Sequence, residues 1–114
     1  MEKLILNRWG SDHIIQFETA NYANNGNLAV HMLEVNGDYY EPWSFLTVNL
    51  TRKCAPDCAY IDVNNNGDDI IDWLIDNNLG KPTGRMEISG FCFYPEFQFN
   101  MDILNKYSIK EILK

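Results

Sequence analysis

The run Asp62-Val63-Asn64-Asn65-Asn66-Gly67 sets side-chain oxygens at its first, third and fifth positions and glycine at its sixth. That is how a helix-loop-helix calcium loop begins, because a hard cation takes oxygen ligands at alternate positions of a tight turn. Such a loop also needs a helix on each side and a bidentate carboxylate at its twelfth position. Here the preceding Cys58-Ala59-Tyr60-Ile61-Asp62 reads as a strand, and the twelfth residue is Trp73. The calcium reading fails on both counts. Asp68 or Asp69 is instead expected to cap the helix that follows, with Asn64 to Gly67 supplying a turn.

The three cysteines pose a second metal question. Cys54 and Cys58 are four apart, Cys92 is distant, and His13 and His31 sit on expected strands, so a three-cysteine, one-histidine zinc site can be drawn. Structural zinc sites favour paired close spacings, and a single Cys-x3-Cys interrupted by Pro56 does not supply them. No metal and no cofactor are expected. An odd cysteine count fits a reducing compartment better than a disulfide framework. Nucleophilic chemistry is equally thin, with no glycine-rich phosphate loop and no nucleophile elbow. No catalytic residue is assigned and the chain is not read as an enzyme.

The acids form the clearest pattern. Between Cys54 and Gly80 there is no Lys or Arg but six Asp, so this segment carries −6 of the net charge of −7. Within it Ile70, Ile71, Leu74 and Ile75 alternate at helical spacing with Asp68, Asp69, Asp72 and Asp76. The helix is expected from about Asp69 to Asn78, with Gly80 at its C′ position and Pro82 blocking continuation. An acidic surface repels phosphate backbones, so direct nucleic-acid binding is disfavoured.

The elements that must hold these residues follow from periodicity. Residues 3–9 and 13–20 read as strands around the turn signal Gly10-Ser11-Asp12, and residues 28–35 alternate in polarity before Asn36-Gly37, a hairpin signal. Residues 43–50 make the return strand, giving an antiparallel meander. Residues 85–100 read as a strand or a bent strand pair broken at Gly90 and Pro95, and residues 101–114 as one or two short helices. The expected fold is α+β, a single domain over 1–114: one antiparallel sheet of about five or six strands, with one main amphipathic helix and a short C-terminal helix packed on it. A chain of 114 residues with 46% hydrophobic content can build such a core. No segment approaches a membrane span and the N-terminus lacks a signal-peptide core, so a cytoplasmic location is expected.

The phrases "EPWSFLTVNL", "AYIDVNNN", "NNLGKPTGR" and "SGFCFYPEFQFN" resemble a family catalogued as domain of unknown function 4313, over about Tyr22 to about Leu104. The resemblance implies a shared fold and an accessory role in gut Gram-positive bacteria, often on mobile elements. It carries no activity, ligand or catalytic residue.

Two functional readings result. In the first, the chain is an acidic interaction module that binds a protein partner through Asp68, Asp69, Asp72 and Asp76. A host defence protein with a basic nucleic-acid channel is a fitting partner, because a negative surface speeds association with a basic one. In the second, the chain is a small-molecule or nucleotide binder, or an undiscovered enzyme, whose pocket lies between the "GKPTGR" turn and the aromatic strand. Lys81, Thr83 and Arg85 would then hold an anionic group while Trp43, Phe91, Phe93 and Tyr94 offer stacking faces.

Overall fold

The computed structural model describes residues 3–109. Strands β1 (Leu4–Arg8), β2 (Ser11–Asn21), β3 (Leu28–Asn36) and β4 (Tyr39–Phe45) form an antiparallel meander in sequence order, sheet 1. Strands β5 (Thr47–Val48), β6 (Cys58–Ile61), β7 (Gly80–Ser89) and β8 (Cys92–Phe99) form a second antiparallel sheet in the order β5-β6-β8-β7. Helices α1 (Val63–Asn66), α2 (Ile70–Asp76) and α3 (Met101–Lys106) complete the chain. The α+β class is as expected, but the strands are divided between two sheets.

The division happens at Leu46. Its N–H donates to the Val30 carbonyl of β3, and its own carbonyl accepts from Asp62 N–H just beyond β6. One residue thus hands the chain from one sheet to the next. The run 43–50, which reads as one strand, is in fact the end of β4, this corner, and β5.

Period-two alternation selects the buried faces. Leu4 and Leu6 of β1, Ile15 and Phe17 of β2, and Val30 and Met32 of β3 share a core with Ala59 and Ile61 of β6 and Phe97 and Phe99 of β8. Ile70 and Leu74 of α2 and Leu104 of α3 enter the same core.

Helix α2 is shorter than the pattern predicts, because the chain turns out of it at Asn77 and Asn78, the latter at φ +63. Ile70 and Leu74 are fully buried, Ile71 is half-buried and Ile75 is exposed. Gly80 is therefore not the helix cap but the first residue of β7. At φ +148 its missing Cβ leaves room for the Gln98 carbonyl, the Phe97 ring and the Phe99 Cα. The segment "GKPTGR" is likewise strand rather than turn. Gly80, Lys81 and Pro82 pair with Phe99, Gln98 and Phe97, and an irregularity between Pro82 and Met86 absorbs Thr83, Gly84 and Arg85. Proline is tolerated there because β7 is an edge strand. Pro95 lies inside β8 and does not break it.

The calcium-like run folds as α1. Asp62 caps it, accepting from Asn65 N–H at 3.2 Å and from the Asn65 side-chain amide at 2.7 Å. The expected caps do not form: Asp69 stands at the N-cap position of α2 without a side-chain capping bond.

Candidate functional site

Strand β8 pairs with β6 only from Glu96 to Gln98, whereas β7 and β8 remain paired out to Ser89 and Cys92. Residues 86–95 consequently form a two-stranded ribbon that continues past β6. Its two faces differ. Tyr94 turns toward Cys54, Cys58 and Tyr60, a small second core roofed by Val48 and Leu50. The opposite face continues the line of Phe97 and Phe99, but among the described residues no helix covers it there. Met86 is 56% exposed, Ile88 60% and Phe93 54%, and Phe91 at the tip is fully exposed.

The base of this ribbon is held by Glu96, which is only 3% exposed. It accepts a hydrogen bond from Thr83 Oγ1–H at 2.6 Å and one from Arg85 Nε–H at 2.8 Å, the second an ion pair. Thr83 Oγ1 also accepts from Arg85 N–H. Burial alone would raise the Glu96 pKa, but the hydrogen bonds from Thr83, Arg85 and Cys54 outweigh it and hold the carboxyl below its ordinary value. The irregular stretch of β7 thereby acquires a fixed shape.

The same charge suppresses thiol chemistry. Burial, with the Glu96 charge beside it, pushes the Cys54 thiol up to about 11, and Cys58 is raised by the same causes. Burial and the neighbouring Cys54 take Tyr60 to about 12. These groups are packed and held protonated, which lowers thiolate character at neutral pH. Among the described residues no set of three or more His, Cys, Asp or Glu side chains is grouped to hold a metal ion.

The residues of the ligand reading do not converge. Thr83 and Arg85 meet on Glu96, so the guanidinium is already matched to a carboxylate. Lys81 opens instead onto a shallow groove of about 540 Å³ with Ile75, Asn78, Gln98 and Asn100. Phe91 and Phe93 belong to the exposed ribbon and Tyr94 to the second core. Trp43 lies in sheet 1, packed against Trp9 and His13.

Nor is the acidic set uniform. Asp68, Asp72 and Asp76 are exposed, while Asp69 receives both terminal nitrogens of Arg8, at 3.2 and 3.3 Å. Glu96, Met86 and Ile88 escaped the sequence reading. The signal was present: an acid flanked by Pro95 and Phe97 in an apolar strand demands partners, and Met86 and Ile88 alternate like a face awaiting cover.

Among the described residues no helix is long and apolar enough to cross a membrane. The chain belongs to the family described as Domain of unknown function (DUF4313), which matches residues 16–112. No curated protein and no solved structure matches it.

Proposed function

We propose that this protein is an interaction module that docks a protein partner through the apolar face of the β7–β8 ribbon. One observation carries the reading: Met86, Ile88, Phe91 and Phe93 are held in water on a hairpin whose base is anchored by the Glu96 cluster. Contiguous exposed apolar side chains cost solubility, and in a small domain they mark surfaces that another molecule covers. A ribbon with a fixed base is also ready-made for binding, since little conformational entropy is lost when it docks.

The acidic residues keep a supporting part in this reading. Asp68, Asp72 and Asp76 supply a negative field that speeds encounter with a basic partner, such as a host protein whose nucleic-acid channel an accessory protein of a mobile element would block. Asp69 is committed to Arg8 and does not form part of the contact.

The test is the double substitution Phe91→Ser with Phe93→Ser. Both side chains are exposed, so the melting temperature should be nearly unchanged. Binding of an apolar dye to the folded protein should fall, and proteins cross-linked to the wild type in the natural host should be lost. Capture of the same proteins in the same amounts by the variant would remove the ribbon from consideration.

A further inference from the structure

A different surface carries chemistry that the ribbon does not use. Trp9 occupies the first position of the two-residue turn between β1 and β2, at φ +54, a region that a bulky side chain enters at a cost. The residue is 85% exposed. It is not isolated: its ring centroid lies 5.7 Å from Trp43, the two planes inclined at 42°. Behind them His13 packs 4.6 Å from Trp43 and contacts Glu34, Nδ1 to Oε2, at 2.7 Å. A carboxylate can only accept, so Nδ1 carries the proton and His13 orients Glu34. Among the described residues His13 Nε2 is buried without a hydrogen-bond partner.

Trp9, Trp43 and Glu34 border a cleft of about 420 Å³ that Arg8 and Asn66 also line. Arg8 is already paired with a carboxylate. Its terminal nitrogens donate to the Asp69 carboxylate and, at 3.0 Å, to the Asn66 carbonyl. Glu34 gives one oxygen to His13, and no other bond engages its second oxygen among the described residues. The cleft therefore offers two inclined indole faces beside an acceptor carboxylate, with its one cation already neutralised. Anions are repelled and planar cations suit it: a guanidinium stacks on indole and sets its N–H fork against a carboxylate, which a compact, strongly hydrated ammonium does less well.

We propose that this cleft binds a guanidinium group, stacked on Trp9 and Trp43 and paired with Glu34, with His13 as a positioning residue. The site stands independently of the ribbon, and either can fail without the other.

The experiment follows the three indole N–H signals in a nitrogen–proton correlation spectrum during titration with N-acetyl-arginine amide. The signals of Trp9 and Trp43 should shift saturably while that of Trp73, whose N–H is bonded to the Ile5 carbonyl, stays in place. Trp9→Ala and Glu34→Gln should each weaken binding at least about tenfold, the loss of one good contact. Glu34→Gln keeps an acceptor for His13, and Trp9 is exposed enough that its removal spares the fold. A short arginine-containing peptide that binds more tightly than the amide assigns the site to a protein side chain, and equal affinity assigns it to a free guanidine compound. The uncharged isostere N-acetyl-citrulline amide binding as well as the arginine compound, or undiminished shifts in both variants, would overturn the proposal.

Discussion

Glu96 shows how much one residue decides. A carboxylate with almost no contact with water survives only because Thr83 and Arg85 donate to it, and in doing so it closes the irregular part of β7. Replacing it by Gln keeps the size but loses the charge, and should cost about 1–3 kcal/mol in urea unfolding. Arg85 is largely exposed and can return to water, which keeps the cost below that of a fully buried pair. The pH dependence has a definite sign. The folded pKa lies below the unfolded one, so this stabilisation is complete above the ordinary value of 4.5 and is lost as pH falls through the folded value. Glu96→Gln should therefore lose less stability than wild type as pH falls below the ordinary value of 4.5. Parallel losses in the two proteins would show that Glu96 is not held ionised by its neighbours.

At the scale of elements, the close approaches are more telling than the helix lengths. β7 can run beside β8 only because residue 80 has no Cβ, which would collide with backbone of Gln98 and Phe99 rather than with a flexible side-chain end. Gly80→Ala should cost about 2–4 kcal/mol, the sum of strain and overpacking. Gly37, which has φ +61 in the β3–β4 turn but open space where a Cβ would go, provides the comparison. Gly37→Ala should cost only about 1–2 kcal/mol, the left-handed term alone. Equal midpoints in denaturant would mean that β7 and β8 part locally to admit the methyl group. Helix α2 makes a similar point through Trp73. Its indole N–H donates to the Ile5 carbonyl at 2.7 Å, occupying part of the open edge of β1 that would otherwise invite pairing with another chain.

Across the whole molecule the charge is lopsided, and the exposed part of it acts at a distance. Asp72→Asn together with Asp76→Asn removes two solvated charges from α2 without touching a cap or an ion pair. Stability should change by less than about 0.5 kcal/mol. Association with a basic partner should slow and lose part of its salt dependence, since such charges act within about 8 Å at physiological ionic strength and steer encounter more than they hold the complex. Stopped-flow association at two salt concentrations measures this, and an unchanged rate and slope would reduce the acids to a solvating face.

Local periodicity was enough to read the α+β class, the meander of β1 to β4, the break at Gly90 and the burial of Leu74, because alternation and helical spacing are written in neighbouring residues. The family was legible in its ordered phrases. What tertiary structure alone decided are relations between residues far apart in the chain. Leu46 divides one expected strand between two sheets through bonds to Val30 and Asp62. Asp69 forgoes a local cap for Arg8, 61 positions away, a guanidinium that also takes the Asn66 carbonyl. Arg85, read as a free cation, is consumed by Glu96, and Trp43, expected to offer a stacking face beside the aromatic strand, instead borders a cleft with Trp9 and Glu34. A side chain's charge and shape are local properties, but its partner is chosen by whichever backbone the folded core brings within about 3 Å, and no spacing along the chain encodes that distance.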